Sequence, residues 1–489
     1  MKTLPPALLY IDGKIRSAEG GKTFDNICPW TAEVAGQAAD ASAADVEQAI
    51  AAARRAFDET NWSKEHVMRH ELVKTYMSLL RANRERLMDI SRIEAGAAIG
   101  AANRAHVDFA LNGGDDLVNC VSAIQWEEDR GSRLENGVTS ERIVTHEPLG
   151  VVAAITPWNV PLYVNIGKVI AALLAGCTVI LKPAPDTPLM GSIMGELALE
   201  AGFPTGVFNV VTSADPALAG ELLVDDPRVD VISFTGSTAV GKHIMARGAA
   251  TLKRIFLELG GKSAKIILDD APDFGMRCMM SMAIFHAGQG CALPTRLLVP
   301  RSRYDEAVES LQMSYGGFAS RWGDFDDPES IMGPVISKRQ QERVMSYIEL
   351  GQQEGARLIA GGTTCPEKGT GYFIEPTCFV DVTNDMRIAQ EEIFGPVLVV
   401  IPFEDDEDAI RIANESSYGL GGAVVSGDRE RAMHVARNVR AGSISVNDGM
   451  SITGDLPFGG FKGSGVGREW GVEGIKEFLD SKAIAVGVS

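Results

Sequence analysis

From Gly150 onward the chain alternates short apolar runs with stretches of helical length. The runs at 151–155, 178–181, 208–211, 229–234 and 254–257 are dominated by branched and aromatic apolar residues, the pattern of strands buried on both faces. A helix-like segment separates each run from the next, so the pattern predicts a doubly wound parallel sheet. Such sheets bind ligands beyond the carboxyl ends of their strands. The residues there are Thr156-Pro157-Trp158-Asn159, Lys182-Pro183, Thr212-Ser213, Thr235-Gly236-Ser237 and Glu258-Leu259-Gly260-Gly261, most of them polar, small or charged.

Upstream, Asp12-Gly13 between apolar residues predicts a hairpin over 9–15. Ser42 is placed to cap a helix with Val46, Ile50, Ala53 and Phe57 on one face, and a long helical region is expected over 65–94. A second α/β unit begins near 264–268, and a glycine-rich stretch from Leu456 precedes a last helix and a short strand at 483–488. Internal repeats and low-complexity linkers are absent from the sequence.

Composition narrows the function. The 489 residues are 45% hydrophobic, and 46 basic against 65 acidic side chains leave a net charge of -19. That charge repels nucleic acid and anionic membranes, and no basic patch offsets it. The seven cysteines show neither a CxxC pair nor zinc-ligand spacing with histidine, so no disulfide framework and no metal are expected. Residues 1–18 lack the features of an export signal, and no run of about 18 apolar residues occurs. A cytoplasmic enzyme or binding protein is the expectation.

Cys291 ends the run Phe285-His286-Ala287-Gly288-Gln289-Gly290-Cys291. Glycines on its approach let backbone amides face whatever the sulfur attacks. Taken alone, a free cysteine is more often a buried structural residue. The segment Ile232–Lys242 reads as strand, small-residue turn and helix start, a place for a phosphate or pyrophosphate. It nearly matches a P-loop, but His243 stands where the magnesium-binding hydroxyl belongs, and the turn follows the fourth strand rather than the first. Lys182 at a strand end could donate to ribose hydroxyls, and Glu258, before Gly260-Gly261, could act as a general base. Either could also be simply solvated.

Several strings appear together and in order: Pro157-Trp158-Asn159, Leu181-Lys182-Pro183-Ala184, Phe234-Thr235-Gly236-Ser237, Glu258-Leu259-Gly260-Gly261-Lys262, Gln289 with Cys291, Glu392-Ile393-Phe394-Gly395-Pro396, and Pro457-Phe458-Gly459-Gly460 with Gly467-Arg468-Glu469. In this the chain resembles the aldehyde dehydrogenase superfamily over nearly its whole length. The resemblance implies three parts: a doubly wound dinucleotide-binding domain (1–123 and 148–258), an α/β catalytic domain (259–456), and a small β oligomerisation arm (124–147 and 470–489). Segments 142–144 and 483–486 would be exposed strand edges that need covering, so a homodimer or homotetramer is expected.

By the same resemblance Cys291 is the nucleophile that forms a thiohemiacetal and then a thioester. Asn159 holds the oxyanion, and Glu258 activates the cysteine or the deacylating water. The presence of Glu258 argues against the branch that transfers the acyl group to coenzyme A. Lys168 and Glu469 form a pair tied to proton exit, with a plain salt bridge as the alternative. Cofactor contacts fall on Ile155, Thr156, Pro157, Trp158, Lys182, Pro185, Phe234, Gly236, Ser237, Val240, Leu259, Gly260, Glu392 and Phe394. Pro185 replaces the glutamate that many NAD-preferring members carry; NAD is the first expectation and NADP stays open. Gly167 stands where many members have a tryptophan, and Gly290 and Ala292 flank the nucleophile. With Tyr163, Phe285, Ile452 and Phe458 they imply a wide tunnel for a medium or bulky hydrophobic aldehyde, with Asp448 and Asp455 near its mouth. A catalytically silent binding member of the fold, or a thiol esterase, remains as the alternative.

Overall fold

The structure, a computed structural model, describes residues 3–281, 283–318 and 321–488, and of residues 101–104 the backbone alone. The outermost ends of the ranges 1–123 and 470–489 therefore lie outside the described residues. Among the described residues the strands form sheets of eight, seven, three and two.

The five apolar runs become the parallel strands Val151–Ile155, Thr178–Lys182, Phe208–Val210, Val231–Thr235 and Arg254–Glu258. Their side chains are buried almost throughout, as expected of strands covered by helices on both faces. The chain winds outward from 151–155 to 208–210, then crosses back to place 231–235 and 254–258 on the other side. The switch point therefore lies between Val151–Ile155 and Val231–Thr235, which opens a crevice at Thr156–Asn159 and Gly236–Ser237. The hairpin Leu9–Ile11 and Lys14–Arg16 extends the sheet at one edge, with Asp12 and Gly13 at positive φ in its turn. Gly465–Val466 extends it at the other.

Glu258 ends this sheet and Ser263 opens the next, a seven-stranded sheet that is parallel except for the edge strand Arg357–Ala360. The segment carrying Cys291 leads into its strand Pro294–Pro300.

Helix formation departs from the sequence reading in two places. The stretch 65–94 is two helices, His66–Ala82 and Arg84–Glu94, broken at Asn83. A further helix, Ala101–Cys120, packs on Pro161–Ala175; its apolar positions Val107, Ala110, Leu111 and Leu117 are buried. Ser42 caps Ala43–Glu59 in a reciprocal capping box with Asp45.

The arm is a three-stranded sheet of Glu127–Glu135, Val138–Pro148 and Leu479–Val488. Here the expectation of two edges needs correction: Ile484 pairs with Ile143 along a continuous ladder, so 142–144 lies in the central strand. The edges are Glu127–Glu135 and the C-terminal strand. Among the described residues no helix is long and apolar enough to cross a membrane.

Candidate active site

A cavity of about 910 Å³ has residues from both large sheets in its wall, and Cys291 lines it. The cysteine segment is held close to the 395–396 backbone: at Gly288, with φ of 73°, an added Cβ would lie 1.9 Å from the Gly395 carbonyl oxygen. Only glycine permits that approach. Burial pushes the Cys291 thiol up to about 12, with the charges of Glu258 and Glu392 adding to it, while the Ala292 amide acts in the opposite direction. The resting group is a thiol, and forming the thiolate would take a base.

Glu258 lines the same cavity from the end of its strand. Neither of its buried carboxylate oxygens has a well-formed hydrogen bond. Burial and then the Glu469 charge raise its pKa well above the ordinary glutamate value; Lys168, Arg468 and the Gly460 amide offset only part of this. Such a carboxyl exchanges protons in a range where an exposed glutamate is already ionised.

Asn159 is buried at the switch point, and its Nδ2 donates to the Gln289 carbonyl at 2.8 Å. A primary amide carries two hydrogens. One anchors the side chain to the cysteine segment, and the second is available to a ligand in the cavity that Asn159 lines. Gln289 itself is structural, donating to the His286 carbonyl and accepting from the Ile336 amide, both at 2.9 Å. Lys168, on Pro161–Ala175, donates to Ser233 Oγ at 3.0 Å and closes a buried ion pair with Glu469, which lines the cavity.

Toward the crevice, Pro157, Trp158, Gly236, Ser237, Leu259 and Gly260 line the cavity, with Glu392 and Phe394 opposite. The Trp158 and Phe394 rings meet edge-on at 5.3 Å, and Phe394 is held at φ 61°. Glu392 accepts from the Gly261 amide at 2.9 Å. Ile155, Thr156, Lys182, Pro185, Phe234 and Val240 are not part of this wall; they lie along or just beyond the neighbouring strand ends or in the helix after Ser237. Lys182 is buried and brought down to about 8 by desolvation, and its Nζ reaches only the Pro183 carbonyl, at 3.5 Å. The hydroxyls of Thr156 and Thr235 are also buried without partners. Unsatisfied polar atoms at adjacent strand ends fit a ligand rich in hydroxyl and phosphate oxygens.

Away from the crevice, Tyr163, Phe285, Gly290, Ala292, Ile452 and Phe458 line the cavity. Gly167 does not. A Cβ there would sit 2.9 Å from Cε2 and Cζ2 of Trp470, which is fully buried against it. The indole volume that many members carry at position 167 is thus supplied from position 470, and Gly167 widens nothing. Tyr163 stacks on Trp470 at 4.4 Å and on Phe109 at 5.1 Å. Asp448 is paired with Arg277, and neither Asp448 nor Asp455 lines the cavity. The sequence reading missed His106 and Phe109, which share a face of the undrawn helix Ala101–Cys120, and Gln340 and Arg343 on Lys338–Gln353. Periodicity in those two helices was the available signal.

Fold and cavity define a two-sheet α/β protein with a thiol, a buried carboxyl and an amide donor around one pocket. The aldehyde dehydrogenase family model matches residues 15–484. Aldehyde dehydrogenase 1 of Tanacetum cinerariifolium is 38% identical over 479 residues, which cover 97% of this chain and 94% of that protein. A Mycobacterium tuberculosis aldehyde dehydrogenase solved with NAD+ matches with a TM-score of 0.93 at 39% identity, over 99% of this chain and 98% of that one. A Staphylococcus aureus betaine aldehyde dehydrogenase, also solved with NAD+, matches with a TM-score of 0.93 at 36% identity, over 98% and 94%. The chain belongs to the aldehyde dehydrogenase family, whose members are oxidoreductases acting on aldehyde groups.

Proposed function

We propose that this chain uses NAD to oxidise a medium or bulky hydrophobic aldehyde to its carboxylic acid, with Cys291 as the nucleophile. The observation that carries the reading is the convergence of Cys291, Glu258 and Asn159 on one cavity that continues into the switch-point crevice. Lys182 and the 236–237 turn would hold the ribose and phosphates, and Glu392 and Phe394 the nicotinamide end, of a dinucleotide. When bound, that cofactor supplies the hydride acceptor. NADP is the second candidate, since Pro185 offers no carboxylate to repel a 2'-phosphate.

Glu258 takes the thiol proton as Cys291 Sγ bonds to the aldehyde carbon. The free N–H of Asn159 stabilises the oxyanion of the thiohemiacetal. With the hydride gone, the acyl group remains on sulfur as a thioester. Glu258 gives up the thiol proton to solvent and, ionised again, accepts a proton from water as the water oxygen bonds to the acyl carbon; the C–S bond breaks, the acid leaves, and Glu258 passes that second proton to the sulfur. Glu469 keeps a negative charge close to Glu258 and helps to raise its pKa, while its ion-pair partner Lys168 offsets part of that effect.

The division into a dinucleotide-binding domain (1–123 and 148–258), a catalytic domain (259–456) and an oligomerisation arm (124–147 and 470–489) belongs to this reading. So does a homodimer or homotetramer, supported by Leu134, Val138, Ile484 and Val486 exposed on the arm. Light scattering on the purified protein measures the assembly, and a monomer refutes it.

An initial-rate screen of benzaldehyde, decanal, acetaldehyde and betaine aldehyde, each with NAD and NADP, tests the reaction. We expect NAD reduction with the two larger apolar aldehydes and none with Cys291→Ala. Preference for acetaldehyde overturns the substrate class, and NAD-independent ester cleavage overturns the reaction.

A further inference from the structure

His106 is a buried histidine that the reaction just described does not use. It belongs to the helix Ala101–Cys120 and lines the cavity. Its Nδ1 lies 3.2 Å from Ser91 Oγ, while its Nε2 is buried with no hydrogen-bond partner. The ring meets His286 edge-on at 4.4 Å and Phe285 at 6.0 Å. Burial brings its pKa down to about 3, so the ring is neutral. Tyr163 repeats the situation on the same wall: its hydroxyl is buried without a partner, and its ring is clamped between Phe109 and Trp470.

An unpaired buried polar atom is costly and uncommon. Thr235, Glu258 and Ser443 also bring unpaired buried atoms to the wall of this largely apolar cavity; the His106 and Tyr163 atoms differ in lying on rings packed against Phe285 and Phe109, and they mark a place where a ligand supplies the missing partners. The ligand's chemistry follows from what surrounds them. Glu258 and Glu469 line the same cavity and disfavour an anion there. Arg339 and Arg343 also line it, but on the crevice side, where Arg343 donates to the Glu392 carbonyl at 2.6 Å. A neutral imidazole nitrogen either donates or accepts, depending on which nitrogen carries the hydrogen. A hydroxyl can do both, so it satisfies either tautomer. The neighbouring rings of Phe109, Tyr163 and Phe285 favour an aromatic carrier.

We propose that His106, with Tyr163, forms a hydrogen-bonding subsite for an uncharged hydroxyl group, so that hydroxylated aromatic aldehydes are preferred over their plain hydrocarbon counterparts. This rests on the aldehyde-oxidising reading and narrows its substrate class.

Two measurements on the full-length protein test it. The first is kcat/KM for 2-, 3- and 4-hydroxybenzaldehyde relative to benzaldehyde. The second is Kd for the unreactive hydroxybenzamides relative to benzamide, by titration calorimetry. A hydrogen bond to an otherwise unpaired group should favour the isomer that reaches it by about tenfold in both ratios. In His106→Phe and in Tyr163→Phe the ratios should fall to about threefold or less, and His106→Gln, which keeps a donor and an acceptor, should recover part of the preference in both. Wild-type ratios below about twofold for every isomer overturn the proposal, as do ratios unchanged in both phenylalanine variants. If no aldehyde is oxidised but the benzamides are still discriminated, the reaction reading fails and the subsite stands.

Discussion

Gly167 and Trp470 occupy one volume, and that makes a quantitative prediction. Gly167→Trp adds a side chain whose Cβ alone would lie 2.9 Å from two indole atoms. Overpacking of a tight core costs about 1–3 kcal/mol, and a whole second indole belongs at or beyond the top of that range. Trp470→Leu empties part of a fully buried site. With about 3–5 kcal/mol for Trp→Ala as a guide, roughly 2–4 kcal/mol is expected. If the sites were independent, the double variant would lose the sum. Because the new indole enters the space the old one vacates, the double variant should instead be more stable than the sum predicts, by about 2 kcal/mol. Trp470 also sits at φ 62° and ψ 169°, a region that disfavours any side chain, so leucine bears the same strain there and it cancels from the cycle. Guanidinium denaturation followed by far-UV circular dichroism gives all four corners of the cycle. Additivity within about 0.5 kcal/mol would show that the two residues do not share the volume, and the account of Gly167 would fall with it.

Three further outcomes follow from the site. Glu258→Gln should lower kcat by about 100 to 10,000-fold; in the wild type, activity should fall as pH drops through the raised pKa of Glu258, because only the ionised form is a base. Loss of that acidic limb in the variant's pH profile checks the assignment, and an unchanged limb contradicts it. Asn159→Ala should reduce kcat by about 100 to 1000-fold with a smaller change in KM, since its amide acts on charge that develops only during reaction; a purely KM effect would make it a binding residue instead. Lys182→Met should raise the KM for NAD by about tenfold, roughly one charge-assisted hydrogen bond, with little change in kcat; initial rates at varied NAD measure this, and an unaltered KM would remove Lys182 from the cofactor site.

Much of this protein was legible because it is written locally. A parallel strand covered on both faces must be apolar throughout, so the five runs from 151 to 258 declared themselves, while the order of the strands, which put the crevice at Asn159 and Gly236, came only with the fold. Ser42 and Asp45 form a cap three residues apart, which needs no tertiary information. Short strings at strand ends and in a glycine-bordered segment put forward Asn159, Glu258 and Cys291, and the fold brings the three to one cavity. The helix Ala101–Cys120 was hidden because Gly113-Gly114 lowers its helix propensity. Those glycines are there for packing: a Cβ on Gly113 would strike Trp470, and one on Gly114 would strike Met77.

What tertiary structure alone decided are relations between residues far apart in the chain. Position 167 read alone looked like an opening in the tunnel, yet the space beside it belongs to Trp470. Segment 142–144 read alone was an edge, yet Leu479–Val488 returns to pair with it. His106 carries no signature of its own, and Tyr163, placed on the tunnel by resemblance, gave no sign of an unpaired hydroxyl, because a missing partner is visible only when every neighbour is in place. Periodicity and capping act within a few residues and survive in sequence. Volume, pairing and polar satisfaction are sums over the folded chain.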